Sequence, residues 1–131
     1  MTPHEAMATW AEACAEFKAL DAKLDALTAA LSRPVYASGQ FPGSKDRAWL
    51  AAYDAYVIAG LNVLRAHNNA ACAYKASSGG RAAGQMLDRL VGDRVYDADV
   101  LAVEAAIAAV LSPPLTRLPC VAADRAGGAR T

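Results

Sequence analysis

The 131-residue sequence is short of most features that commit a chain to a chemistry. Its three cysteines, Cys14, Cys72 and Cys120, stand far apart with no CxxC spacing. That excludes a zinc knuckle and a disulfide framework and reads as reduced thiols, with Cys14 and Cys72 in helix interiors where a small core residue fits. There are two histidines and neither an HExxH nor an ExxH pair. Three or four metal ligands therefore cannot be gathered from its motifs, and no metal or cofactor is expected. Charge of one sign is also missing: 13 basic and 13 acidic residues cancel. A protein that lives on nucleic acid draws its affinity from neutralising phosphates, so this balance argues against nucleic acid as the main partner. No stretch reaches the roughly 18 uninterrupted apolar residues of a membrane span. Ala48 to Leu64 is broken by Asp54 and Asn62, and Val100 to Leu111 is too short. Met1 to Trp10 carries Glu5 and no basic segment ahead of an apolar run, so it does not read as a secretory signal. The expected location is cytoplasmic.

What the chain has in abundance is alanine. Its 33 alanines supply nearly half of a hydrophobic content of 55%. Leu, Ile, Val and Phe number only 26, a share that borders on disordered composition when net charge is high, which here it is not. The length suits one domain with a single core. The composition reads as a soluble, Ala-rich, all-α domain whose helices approach closely.

Local signals predict four helices. Thr2-Pro3-His4-Glu5 combines an N-cap threonine, a proline in the first turn and a glutamate three residues after the cap, a reciprocal capping box. From there Ala6, Trp10, Ala13, Phe17, Leu20, Leu24, Leu27 and Leu31 recur at alternating spacings of four and three, a heptad seam that predicts a helix over about 3–32. Pro34 ends it. Residues 33–44 hold two prolines and two glycines and read as a connection. A second long helix, about 45–76, carries Trp49, Tyr53, Tyr56, Gly60, Val63, His67, Ala70 and Tyr74 on one stripe. A second stripe holds Leu50, Val57, Leu61, Leu64 and Ala71, and two stripes predict cover from two sides. Ser77-Ser78-Gly79-Gly80 ends it. Shorter helices are expected over about 81–91, stopped by Gly92, and about 98–111, capped by Asp97 with Tyr96 stapled onto Leu101. The core face of the last helix is expected to include Leu101, Ile107, Val110 and Leu111. These elements predict an antiparallel helical bundle over residues 1–112, the two shorter helices together matching the second helix in length. An irregular C-terminal tail, 113–131, is expected to dock only in its first part. Net charge alternates along the chain, with −3 over 1–32, +4 over 33–81, −3 over 82–112 and +2 over 113–131, a pattern that suits neighbours in a bundle.

Two clusters stand out as candidate sites. Tyr36, Phe41, Trp49, Tyr53 and Tyr56 are crowded at the junction of the first connection and the second helix, interleaved with Arg33, Lys45 and Arg47. Aromatic and arginine side chains dominate binding hot spots, because they offer much desolvated area at little rotamer cost. The expected partner-binding surface is therefore Arg33, Tyr36, Phe41, Lys45, Arg47 and Trp49; the structural alternative places Trp49 and Tyr56 in the core and folds Tyr36 and Phe41 over the bundle end. His67 lies on the aromatic stripe and suggests a ligand pocket with Tyr53 and Tyr74, where it would act as a base oriented by Asp54 or Asp88. A hydrogen-bonded boundary histidine explains the same residue. The turn Ser77 to Gly84 resembles a phosphate cradle only in its glycines, lacking the lysine and the preceding strand of a P-loop.

The sequence therefore suggests a non-catalytic helical interaction protein: an assembly subunit, adaptor or stoichiometric inhibitor, for example of a phage or mobile element, binding a protein partner or a second copy of itself. The alternative is a ligand-binding or enzymatic bundle with its pocket near His67. A third reading is a nucleic-acid accessory that uses Arg33, Lys45, Arg47, Arg65 and Arg81.

Overall fold

The computed structural model describes residues 1–31 and 44–111, the first three of the second stretch by their backbone alone. Their regular structure is wholly helical: α1 (Pro3–Ala30), α2 (Ser44–Lys75), α3 (Gly80–Val91) and α4 (Val100–Leu111). The expected tail, 113–131, lies outside the described residues, as does the connection that follows Leu31.

Helix termini follow local chemistry. At the start of α1 the Thr2 hydroxyl accepts the Glu5 amide at 3.1 Å and the Glu5 carboxylate accepts the Thr2 amide at 2.9 Å, closing the capping box. The helix stops at Ala30, where Leu31 turns extended (ψ 140) and its amide reaches back to the Thr28 carbonyl. Gly92 closes α3 with φ 58, a conformation side chains resist. The cap of α4 is Asp99 and not Asp97. The Asp99 carboxylate accepts the Ala102 amide at 3.2 Å, and its carbonyl accepts the Val103 amide at 3.0 Å. Asp97 instead accepts Arg94 Nε at 3.4 Å. Val100, Val103 and Ile107 of α4 face inward, while Leu101 is 74% and Val110 60% exposed, so of the expected core face Ile107 stands and Leu101, Val110 and Leu111 are corrected. Tyr96 does not serve as the staple either, because its ring lies against Phe17.

α1 and α2 form an antiparallel hairpin: Thr28 meets Trp49, Phe17 meets Tyr56, and Trp10 meets His67. The two short helices do not continue one another along α2. They fold back side by side, with Leu111 at the end of α4 close to Gly79 at the start of α3. Each is 12 residues, about 18 Å of helix, whereas α2 has 32 residues. The pair therefore covers only the N-terminal half of α1 and the C-terminal half of α2. The molecule has a four-helix end and, beyond it, a two-helix arm made by 18–30 of α1 and 44–55 of α2.

The core sits in the four-helix end. Trp10, Met7, Leu87, Ile107 and Val63 are its largest fully enclosed side chains, with Ala6, Ala66, Ala70 and Ala83 filling the spaces between helices. Trp10 donates its indole N–H to the Val95 carbonyl at 3.0 Å, satisfying the one polar group that its burial would strand. Met7 and Cys14 add a second buried line to α1, and the Cys14 thiol reaches the Val95 carbonyl of the α3–α4 turn. Among the described side chains of the arm, Leu24 and Ala52 are buried, and Leu20, Leu27 and Trp49 are half-buried, as is Leu31 just beyond α1. The second stripe of α2 is not covered along the arm and the waist: Leu50, Val57, Leu61 and Leu64 are all exposed, and only Ala71, beside α3, is buried. Periodicity places these residues on one face, but no described element lies against it.

Candidate protein-binding surface

The aromatic cluster expected at the start of α2 extends into a ladder that crosses elements. Trp49 stacks on Tyr53 at 5.2 Å and 8°, and Tyr53 meets Tyr56 at 6.3 Å. Tyr56 stacks on Phe17 of α1 at 4.8 Å, and Phe17 meets Tyr96 of the α3–α4 turn at 4.9 Å. Gly60 makes room for this arrangement, since a Cβ there would lie 3.3 Å from the Phe17 ring. At the tip of the arm the Trp49 indole N–H donates to the Thr28 hydroxyl at 2.7 Å, and that hydroxyl donates to the Leu24 carbonyl at 2.8 Å. Trp49 thus ties the two helices together.

Next to the rings runs an open groove of about 500 Å³ lined by Phe17, Tyr56, Val57, Gly60, Leu61, Leu64 and Tyr96. It continues onto the outer face of α2, where Tyr53 is 43%, Ile58 59% and Leu61 55% exposed. Soluble monomers seldom show a connected apolar strip of this kind except where something binds. Asp54 and Arg65 stand on the same outer face, both exposed.

The expected site residues divide as follows. Arg33, Tyr36 and Phe41 lie outside the described residues, and of Lys45 only the backbone is described. Arg47 is exposed on α2, and Trp49 is half-buried at the arm tip. Tyr53 belongs to the ladder, while two heptads, about 21 Å of helix, separate it from His67. His67 and Tyr74 sit in the four-helix end. Arg65 and Arg81 are exposed on α2 and α3. Sequence reasoning missed Phe17 and Tyr96 as members of the ladder, because their contacts join three separate elements and leave no local pattern.

His67 presents its ring to Trp10 edge-on at 5.0 Å and 63°. Its Nε2 is buried and without a hydrogen-bond partner. Burial holds its pKa below the usual 6.5, against an opposing pull from Asp88. His4 behaves in the opposite way: its Nδ1 lies 2.7 Å from the Glu104 carboxylate, and that contact raises its pKa. Burial, then Glu104, pushes the Tyr74 phenol up. Cys14 is buried, its thiol directed at the Val95 carbonyl at 3.4 Å, whereas Cys72 is exposed and not in the core. Among the described residues no group of three His, Cys, Asp or Glu side chains is placed to hold a metal, and no helix is long and apolar enough to cross a membrane.

No family model, no curated protein and no solved structure matches the chain.

Proposed function

We propose that this chain is a helical interaction protein, an assembly subunit, adaptor or stoichiometric inhibitor, which binds protein through the outer face of α2 and the adjoining aromatic ladder. The observation that carries the reading is the strip Leu50, Tyr53, Val57, Ile58, Leu61 and Leu64, each at least 36% exposed on a helix whose opposite side is packed. Leaving so much aliphatic and aromatic area in water forgoes stabilisation of about 25 cal/mol per Å², which a partner recovers on covering it. The surface begins at the expected aromatic-basic junction, at Arg47 and Trp49, and runs on to Leu64, so its centre lies further along α2 than the sequence suggested.

The test pairs Ile58→Glu with Leu61→Glu. Both positions face solvent in the single chain, so the double variant keeps its helical circular dichroism. Affinity capture and native mass spectrometry on the two proteins should then show the bound protein, of whatever identity, lost from the variant. Retention of every bound protein by the folded variant would remove this surface from consideration.

A further inference from the structure

The outer face of α2 has a self-complementary order. Ala51, Asp54, Ile58, Leu61, Arg65 and Asn68 follow one another at spacings of three, four, three, four and three, so they lie on one line of the helix, and all are exposed. Ile58 and Leu61, the two most exposed large apolar residues of α2 at 59% and 55%, sit at its centre. An acid and a base flank them at equal distance, Asp54 four residues before Ile58 and Arg65 four residues after Leu61. Among the described residues neither charge is paired: Asp54 makes no ion pair, and Arg65 makes a 3.4 Å hydrogen bond to Asn62 and no ion pair.

A two-fold axis between Ile58 and Leu61 turns this order onto itself. We propose that the occupant of the strip is a second copy of the chain, its α2 packed antiparallel, with Ile58 against the partner's Leu61 and Asp54 against the partner's Arg65, each contact made twice. The pairing spans Ala51 to Asn68, about 26 Å of helix, and leaves Val57 and Leu64 to pack on its flank. Charge selects both direction and register. A parallel pair sets Asp54 beside its own copy, and an antiparallel pair centred on Val57 sets Asp54 opposite Gly60, which is buried. Isologous contacts of this type close at two copies and do not extend into filaments. This inference rests on the interaction reading above and names its partner.

Sedimentation equilibrium of the full chain from low to high micromolar should show a mass twice 13.6 kDa. Asp54→Arg alone and Arg65→Asp alone each set like charges against one another twice and should weaken the dimer about tenfold or more; the double exchange should restore it. Cross-linking reads the direction independently on a Cys120→Ser background. With Arg47→Cys added, mild oxidation should join the new thiol to the partner's Cys72, whereas Cys72 alone should stay reduced, since the antiparallel pair keeps the two copies of it about 37 Å apart along the helix. A chain that stays monomeric at high micromolar overturns the proposal, as does a dimer indifferent to the charge exchanges or one that joins Cys72 to its own copy. If the monomeric chain instead holds a different protein that Ile58→Glu with Leu61→Glu releases, the second copy is refuted as occupant while the interaction reading stands.

Discussion

The two ends of this molecule use the same two helices for different purposes. In the four-helix end, α1 and α2 each have neighbours on two sides, and Trp10, Met7, Val63 and Leu87 are fully enclosed. Among the described residues of the arm the same helices have only each other, and no buried side chain is larger than Leu24. The difference shows what a third and fourth helix contribute to an Ala-rich chain. Alanine fills a seam between closely packed helices, but a hairpin whose neighbours are mostly alanine cannot enclose large side chains by itself, so it leaves them at its surface. The binding surface proposed for this chain lies where the cover runs out.

The contrast can be broken by mutation. The largest expected effect is Trp10→Ala, which opens a cavity among three helices and deletes the hydrogen bond to Val95, at about 3–5 kcal/mol; Leu24→Ala in the arm should cost about 2 kcal/mol or less, at the low end for such truncations. Urea unfolding followed by circular dichroism measures both, and equal costs would erase the distinction. Gly92→Ala places a Cβ on a backbone with φ 58 and should cost about 1–2 kcal/mol by the same assay, detaching the α3–α4 pair first. Thr28→Val removes the acceptor of the Trp49 indole, a loss of about 0.5–1 kcal/mol that should appear as faster amide exchange in the arm, with exchange around Trp10 unchanged.

The smallest effects are those of pH, and the two histidines pull in opposite directions. His67 titrates lower in the folded chain than in the unfolded one, so the unfolded chain takes up the proton first. Stability should therefore fall as pH drops from about 6.5 towards the folded value. His67→Leu removes this acid sensitivity along with the unpartnered Nε2, and should be neutral or slightly stabilising at pH 7. His4 titrates higher when folded; its contact with Glu104 is in force below the unfolded value and is lost as pH rises through the folded one. His4→Gln should flatten that side of the profile, and added salt should mimic it. Midpoints of thermal unfolding between pH 5 and 8 for the two variants separate the contributions.

Much of the fold was legible because its signals are local. The capping box at Thr2, the heptad line from Ala6 to Leu31 and the stop at Gly92 each depend on residues within a turn or two of one another, and each stands where the spacing put it. The start of α4 was not legible, and the sequence points to a cap at Asp97 where the structure has Asp99. Both residue types are competent caps, and which α4 face turns inward, Val100, Val103 and Ile107, is decided by packing on α1 and α3, a tertiary criterion. Cover over α2 was illegible for a related reason. Periodicity shows that Leu50, Val57, Leu61 and Leu64 share a face, but whether a neighbour reaches them depends on α3 and α4 folding side by side. For the site, Arg47, Trp49 and Tyr53 were visible as a cluster. Their continuation through Tyr56 to Phe17 and Tyr96 depends on contacts between residues far apart in the chain, and Gly60, whose missing side chain admits the Phe17 ring, read only as one position of a stripe.

The carbonyl of Val95 receives both the Trp10 indole and the Cys14 thiol, residues 85 and 81 positions earlier in the chain. Closing a loop of that length is slow compared with forming the α1–α2 hairpin. Assembly therefore has a built-in order: the two helices of the arm pair first, and the first turns of α1 stay open until the last third of the chain arrives to clasp them. The two tryptophans report those stages separately. Trp49 should change its emission early in refolding, with the hairpin, and Trp10 late, when the α3–α4 turn docks and the core closes.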